Sequence, residues 1–298
     1  MFVFSAEANS DPQGNTAPVQ RIVFWERNFN TEFLHASLTN YLNASEHRFG
    51  AYELVPSAPM EQYEAFAALD RGEIDVVVGS INLEREQKYA PIYSPIDRGL
   101  AGFRVCLIHR DLRRASTLQT TDENYFDIVN AAVAGELTIG LGSDWPDKAI
   151  YEQNDYTTVD SESYLELFDM LEAKTFNCFS RSMQEIDAEI ANLSTEAIVK
   201  DDKIVFIYPN AAFLYTSKDN IDLQERLQFG AALAKSNGSY YRLFEQYYAG
   251  ILANNNLYFR KLIFLRNKDL SKTALDSINE FGLASFKLTS NGLPKISN

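Results

Sequence analysis

The sequence contains few side chains of the kind that carry covalent or metal chemistry. Its 298 residues include only two cysteines, Cys106 and Cys178, and three histidines. Neither cysteine belongs to a CxxC pair. The sequence therefore has almost no residues that could form a zinc site or a Cys–His catalytic pair. Nucleophile-elbow, HExxH, Walker and GxGxxG motifs are absent from the sequence. We therefore expect no catalytic residue, metal ion or cofactor, and two buried free thiols, with a single disulfide as the alternative.

One short segment has the composition of an anion-binding turn. Residues 137–141 (LTIGL) have the pattern of a strand, and Gly142-Ser143-Asp144-Trp145-Pro146 leads from it directly into a helical pattern. The backbone N–H groups at the start of a helix attract anions. Ser143 and Asp144 are therefore candidates for ligand binding, with an ordinary helix cap as the alternative. Trp145 is a candidate for stacking on the ligand, or for sealing the surface.

The charge balance excludes several classes of partner. Lys and Arg number 27 against 41 Asp and Glu, which gives a formal net charge of −14. An acidic surface repels phosphate backbones and anionic headgroups, so we expect neither nucleic-acid nor peripheral membrane binding. Hydrophobic residues make up 46% of the chain, with 20 Phe and 16 Tyr, which is enough for a packed core. No apolar run approaches the ~20 residues that span a bilayer.

Alternating strand and helix patterns must position these candidates. Strand patterns at residues 21–25, 52–55 and 75–78 are separated by helical patterns, and the same order restarts after residue 100. Such β-α-β order implies parallel strands joined by helical crossovers. The predicted fold class is α/β, with two units that each have a central, mostly parallel sheet flanked by helices.

Residues 69–95 carry a recognisable family pattern. They read LDRGEIDVVVGSINLEREQKYAPIYSP, with Leu69, Gly72 and Asp75 followed by Ser80, Glu84-Arg85 and Tyr93-Ser94-Pro95. This order resembles the type II periplasmic solute-binding proteins of the amino-acid-binding branch, whose fold is shared with ionotropic glutamate receptor ligand domains. Residues 213–218 and 237–248 resemble the family's C-terminal return, so the likeness covers roughly residues 20–250.

The resemblance implies a type II periplasmic-binding-protein fold with two lobes and two crossings, near residues 99–104 and 207–212. Lobe 1 would comprise residues 20–100 plus 208–298, and lobe 2 residues 101–207, after a flexible segment at 1–19. The ligand would lie in the cleft between the lobes. A membrane ABC permease or a sensor would recognise the closed form of a monomeric protein.

The resemblance also implies roles for two residues of the motif. In the family, the arginine pairs with the ligand's carboxylate and the hydroxyl five residues earlier adds a hydrogen bond. Those positions are Arg85 and Ser80 here, and a guanidinium matches a carboxylate fork well. The alternative for Arg85 is a surface pair with Glu84 or Glu86. The family uses the Ser143-Asp144 turn for the same carboxylate.

Two positions depart from the family pattern. Where amino-acid binders place an acidic residue for the ligand's ammonium group, this sequence has Arg181. An arginine would repel an ammonium group and attract a second anion, unless it is merely a solvated residue before a helix. The first strand-to-helix loop lacks the family's aromatic insertion, which makes Trp25 and Arg27 further candidates. An α-amino acid, a dicarboxylate and another compact anion all remain open as ligands.

The first residues of the chain resemble the end of a signal peptide. Residues 1–10, MFVFSAEANS, combine a short apolar stub with Ala6-Glu7-Ala8, a pattern that signal peptidase cleaves. We interpret them as a signal-peptide remnant of a periplasmic protein, with a frayed cytoplasmic N-terminus as the alternative.

We expect a solute-binding protein that closes around a small carboxylate-bearing ligand for ABC-type uptake or sensing, not an enzyme. The alternatives are a lyase or synthase on the same fold and a module that docks a partner through residues 258–266.

Overall fold

The computed structural model describes residues 19–118, 120–123, 125–284, 286–288 and 294–296. The predicted signal-peptide remnant at residues 1–10 lies outside these residues, and so does the predicted flexible segment at 1–19 apart from Val19. The strands in chain order are β1 (Gln20–Phe24), β2 (Tyr52–Pro56), β3 (Val77–Ser80), β4 (Ala90–Ile92), β5 (Phe103–His109), β6 (Thr138–Gly142), β7 (Thr157–Ser161), β8 (Cys178–Ser182), β9 (Ile198–Lys200), β10 (Ile204–Ile207), β11 (Ala212–Thr216), β12 (Lys261–Phe264), β13 (Phe286–Leu288) and β14 (Pro294–Ile296).

Helices alternate with most of these strands. They are α1 (Glu26–Phe29), α2 (Glu32–Phe49), α3 (Gln62–Asp70), α4 (Leu83–Lys88), α5 (Arg110–Ala115), α6 (Ile128–Ala134), α7 (Asp147–Glu152), α8 (Glu166–Glu172), α9 (Ile186–Asn192), α10 (Ile221–Ser236), α11 (Ser239–Asn254) and α12 (Lys272–Phe281). Short 3-10 turns cover Leu100–Gly102 and Leu257–Phe259. Within the described part of the chain, no helix has both the length and the apolar character of a membrane span.

The N-terminal strands build the smaller of two sheet systems. β3, β11 and β4 pair antiparallel in that order, while β1 and β2 pair in parallel. A bridge from Phe24 to Val76 brings β1 beside β3. The continuous apolar run before Gly79 is buried, as expected for a strand covered on both faces. Helices α2 and α10 pack together and bury one apolar side of α2.

The larger sheet has seven strands in the order β12-β10-β5-β8-β6-β7, with β9 also paired to β5. β6 runs parallel to both β7 and β8, as the predicted β-α-β order requires. β5 runs antiparallel to β8, β9 and β10. The architecture is therefore α/β with mixed sheets, because the strands next to the crossings reverse direction.

A disulfide joins two strands of the larger sheet, so the prediction of two free thiols is wrong. Cys106 on β5 and Cys178 on β8 are bonded, with their Cα atoms 4.9 Å apart. Both residues are fully buried, as predicted. Antiparallel pairing of β5 with β8 brings together residues that are 72 positions apart in the chain. Sequence spacing alone does not reveal such pairing.

The chain passes between the two sheet systems at residues 93–102 and 208–211, close to the predicted crossings. Tyr208 N–H donates to the Gly102 carbonyl at 3.1 Å. A Cβ on residue 102 would lie only 2.1 Å from the Tyr208 carbonyl oxygen, so glycine allows the crossings to touch. The buried Asp97 carboxylate accepts N–H groups of Gly99, Ala101 and Ala212 at 2.7 to 3.1 Å. Asp97 thus links the first crossing to the second by hydrogen bonds.

A C-terminal strand returns to the larger sheet. β12 pairs in parallel with β10, and Ile263 and Leu265 join the core around Cys106. Arg260 holds this return by donating to the carbonyl oxygens of Ile204 and Asp201, both at 2.8 Å. Residues 261–265 were expected in lobe 1, but they pack with the larger sheet instead. We propose lobe 1 as residues 20–100, 208–256 and α12, and lobe 2 as residues 101–207 with 260–265.

Asp97 generates a prediction about stability and pH. Burial raises the pKa of Asp97 from 3.8 to about 6, despite the three backbone N–H bonds that lower it. The folded state then binds this proton more tightly than the unfolded state, so the free energy of unfolding falls as pH rises from about 4 to about 6. The expected fall is about 3 kcal/mol. We expect the difference in unfolding free energy between wild type and Asp97→Asn, measured with urea at each pH, to fall across this window. A difference that does not vary with pH would contradict the prediction.

Candidate ligand-binding site

A cleft of about 550 Å³ lies between the two sheet systems. Residues of both systems line it, including Trp25, Asn28, Gln62, Ser80, Arg104, Asp144, Trp145, Asp147, Arg181 and Gln184. Of the eight predicted ligand residues, six line the cleft: Trp25, Arg27, Ser80, Asp144, Trp145 and Arg181. Arg85 and Ser143 are not among the lining residues.

Arg85 lies directly behind the cleft wall. Its guanidinium donates to the Ser80 carbonyl at 2.8 Å and to Gln62 Oε1 at 2.9 Å, and it packs over the Phe66 ring at 4.3 Å. Both hydrogen-bond partners line the cleft. Arg85 is 8% exposed, and its carboxylate neighbours in sequence, Glu84 and Glu86, do not pair with it. The alternative of a surface ion pair is therefore not what the structure contains.

Burial of Arg85 leaves a cation without a counter-ion. No carboxylate of the described residues lies within ion-pair distance of its guanidinium, and burial lowers the pKa of Arg85. Asp144 and Asp147, from the larger sheet system, are near enough to oppose that effect. A buried, uncompensated guanidinium is costly, and an anion brought beside it would relieve the cost.

Two caps place these side chains. Asn82 caps α4 by accepting the Arg85 N–H at 2.8 Å, which fixes Arg85 in the first turn. A capping box between Glu61 and Glu64 starts α3 at Gln62. Gln62 therefore projects from the first turn of α3 between the cleft and Arg85. Its role has no signal in the sequence, since it depends on the contact between two helices.

The Gly-Ser-Asp turn differs from the prediction. Helix α7 begins at Asp147, so Asp144 is not its cap. Ser143 N–H donates to the Ser161 carbonyl at 3.0 Å, and Trp145 N–H to the Gly142 carbonyl at 3.1 Å. Those two N–H groups are already used within the protein. Asp144 is exposed and lines the cleft as a carboxylate instead.

Arg181 is held by two carboxylates of the protein. Its Nε atom donates to both carboxylate oxygens of Glu189 at 2.8 Å, and Nη2 donates to Glu185 at 3.1 Å and also to Glu189. The guanidinium lies over the rings of Trp145 and Tyr164, at 4.7 and 5.3 Å. Burial lowers the pKa of Arg181, but the two glutamates outweigh it and raise the pKa. The cluster as a whole is negative, which opposes the expectation that Arg181 attracts an anion.

The two tryptophans differ in their surroundings. Trp25 is 2% exposed and donates from Nε1 to the Met60 carbonyl at 3.1 Å, so most of its ring belongs to the core. Trp145 is partly exposed and stacks near Phe179, with ring planes 13° apart. A Cβ on Gly142 would lie 2.6 Å from the indole of Trp145, so this glycine lets the ring lie against β6.

The cleft floor contains a buried ion pair that the predictions missed. Arg104 Nη2 lies 2.5 Å from Asp147 Oδ1, and Tyr208 donates its hydroxyl to the same oxygen. Burial lowers the pKa of Arg104, but Asp147 outweighs it and the pKa is raised overall. A charged residue within the apolar run of β5 was a signal that could have identified Arg104. Asp147 had no comparable signal.

Carboxylates outnumber cations in the cleft lining. The lining carboxylates are Glu61, Asp144, Asp147, Glu162, Glu185 and Glu189, and the lining guanidinium groups are Arg27, Arg104 and Arg181. Each of these arginines pairs with a carboxylate of the lining. Asp144 and Glu162 form no ion pair with any described residue. The described residues contain no cluster of three or more side chains suited to a metal ion.

The two arginine clusters predict contrasting effects on stability. We expect Arg181→Met to lower the free energy of unfolding by about 3 kcal/mol, because Glu189 would remain nearly buried without a counter-ion. Arg27 and Glu61 form an exposed pair at 3.1 Å, so Arg27→Met should cost less than about 1 kcal/mol. Urea unfolding would measure both values, and Arg181→Met with Glu189→Met should recover part of the loss. Equal losses for the two single variants would show that Arg181 is not held as described.

Comparisons with known proteins place this geometry in a structural class. No protein-family model matches the chain, and no curated protein sequence matches it significantly. The VFT2 domain of Bordetella pertussis BvgS, a double mutant, matches with a TM-score of 0.52 and 16% identity, covering 78% of this chain and 94% of that one. An ancestral arginine-binding protein bound to arginine matches with a TM-score of 0.52 and 14% identity, covering 78% and 99%. An ancestral arginine-binding protein bound to glutamine also matches with a TM-score of 0.52 and 14% identity, covering 77% of this chain and 97% of that one. The chain therefore has the two-lobed fold of the type II periplasmic binding proteins.

Proposed function

We propose that this chain is an extracytoplasmic solute-binding protein that closes around a small ligand bearing a carboxylate. The observation that carries the proposal is the buried Arg85 guanidinium, which lacks a counter-ion and contacts two residues of the cleft wall. A ligand carboxylate that enters between Ser80 and Gln62 would supply the missing charge. A charge-assisted contact of this kind is strong in a desolvated cleft.

The charge of the opposite wall narrows the ligand class. Asp144 and Glu162 lie on the larger-sheet side and form no ion pair with a described residue. Arg181 is paired with two carboxylates of the protein. A cationic group of the ligand would meet this wall favourably, and a second carboxylate would be repelled. An amino acid or a similar zwitterion therefore fits better than a dicarboxylate.

The buried disulfide supports an extracytoplasmic location, because such bonds persist in oxidising compartments. Binding that stabilises a closed form is a population shift, driven by contacts with both lobes. The closed form would then be recognised by an ABC permease or by a sensor.

A thermal-shift screen tests this function. Protein that has been unfolded and refolded would be screened against amino acids, dicarboxylates, other small anions and sugars. A ligand at a thousand times its Kd should stabilise the protein by about 4 kcal/mol, and NMR should recover it unchanged. Stabilisation by zwitterions supports the full proposal, whereas a response to dicarboxylates alone would contradict the assigned role of the acidic wall. Absence of any response, or consumption of the ligand, would overturn the function.

Arg85→Met tests the carboxylate contact. We expect the affinity for the ligand found in the screen to fall by about 2–4 kcal/mol, or roughly 30- to 1,000-fold, in isothermal titration calorimetry. The folded protein should lose little stability, because Arg85 has no carboxylate that would be left unpaired. Arg71→Met is the matched control, since Arg71 forms an exposed pair with Glu73 at 2.7 Å. Unchanged affinity in Arg85→Met would remove Arg85 from the site.

A further inference from the structure

The floor of the cleft contains a second polar group that neither the motif nor the charge balance assigns. β5 is apolar from Val105 to Ile108, yet Arg104 near its start is charged. Its side chain is only 7% exposed. A charge at such a position is expensive unless its hydrogen-bonding groups are used.

Part of the hydrogen-bonding capacity of Arg104 is unused. Asp147 is the partner that the structure gives its guanidinium, through Nη2 at 2.5 Å. Nε is buried and has no hydrogen-bond partner among the described residues. The residue nevertheless lines the cleft. Buried polar groups of this kind are rare in folded proteins, because an unmatched donor is costly.

An unmatched acceptor lies just beyond the end of the adjoining strand. Ser182 on β8 is the cross-strand partner of Arg104 on β5. Two residues further along, the Gln184 N–H donates to Ser182 Oγ at 3.4 Å, which turns Gln184 into the cleft lining. Gln184 Oε1 is buried and has no partner among the described residues. Arg104 Nε and Gln184 Oε1, an unmatched donor and an unmatched acceptor, therefore belong to two residues that line the same cleft.

Resting on the solute-binding function proposed above, we propose that Arg104 and Gln184 form a subsite for a primary carboxamide at the far end of the ligand. The amide carbonyl accepts a hydrogen bond from the Arg104 guanidinium, and the amide NH₂ group donates to Gln184 Oε1. A carboxamide offers this acceptor and donor together on one planar group. The contact satisfies both unmatched groups at once.

Charged end groups fit this subsite less well. Arg104 and Asp147 form a neutral pair, so neither sign of charge gains a free counter-ion there. A carboxylate would lie beside Asp147 and near Glu185, which already acts on Arg104. An ammonium group would face the guanidinium and could not accept a hydrogen bond from it. A methyl group would leave both protein groups unmatched, which is a strong basis for rejection.

Four probes with the same five-carbon chain separate these cases. L-glutamine, L-glutamate, L-norvaline and L-ornithine share the α-amino acid group and differ in the end group. Calorimetry on the full chain should give L-glutamine an affinity at least about tenfold above each of the others, as expected for one satisfied buried pair. In Gln184→Met, the affinity for L-glutamine should fall by about tenfold or more, while that for L-norvaline changes less than about threefold. Gln87→Met, on the exposed face of α4, is the control and should match wild type.

The outcomes distinguish this subsite from the proposed function. Preferential loss of L-glutamine binding in Gln184→Met supports the subsite. Equal affinity of the four probes in wild type, or an equal loss for all of them in Gln184→Met, overturns it and leaves the solute-binding function standing. Binding of none of the four also overturns it, and the broader thermal-shift screen then decides the function separately.

Discussion

The arrangement of the two sheet systems depends on the buried Asp97 carboxylate, which joins the two crossings. Asp97 accepts backbone N–H groups from its own crossing and from the start of β11. Three such donors compensate part of the cost of removing a charge from water. The same junction requires Gly102, where the Tyr208 carbonyl leaves no room for a side chain. Because the two crossings are joined at this point, they hold the two sheet systems on either side of the cleft. The residues that line the cleft come from elements on both sides of this junction.

The cleft shows why the type of a charged residue does not by itself define its role. Arg181 and Arg85 are both buried arginines, yet their partners differ in kind. Glu189 and Glu185 neutralise Arg181, so that cluster is complete without a ligand. Among the described residues, Arg85 donates only to uncharged oxygens and stacks on Phe66, so its charge has no partner there. Arg104 is intermediate, with its charge matched by Asp147 and its Nε atom unmatched. Counting partners atom by atom therefore separates structural charges from those that are available to a ligand.

Sequence reasoning identified the elements well and the partners poorly, for physical reasons. Strand and helix periodicity is local, so the β-α-β order could be predicted from it, whereas the positions of the crossings came from the resemblance to the periplasmic binding proteins. The Ser80 and Arg85 spacing is equally local, because both residues flank one helix start. Glu189 reaches Arg181 only because β8 turns into α9, and Gln62 reaches Arg85 only because α3 packs beside α4. The return of β12 to the larger sheet is likewise a long-range pairing. None of these contacts leaves a trace in the spacing of residues along the chain.

The disulfide has a consequence for how the chain behaves once it is denatured. It closes a loop of 72 residues that contains β6, β7 and the helices α6, α7 and α8. Under non-reducing conditions this loop stays tethered in the unfolded chain, which lowers the conformational entropy of that state. The part of the chain that supplies Asp144, Trp145 and Asp147 to the cleft is therefore the part that begins refolding with its ends already joined. The smaller sheet system contains neither cysteine and must find its long-range partner β11 without covalent help. Denaturation without a reductant thus removes bound solutes while preserving the one long-range connection on the acidic side of the cleft.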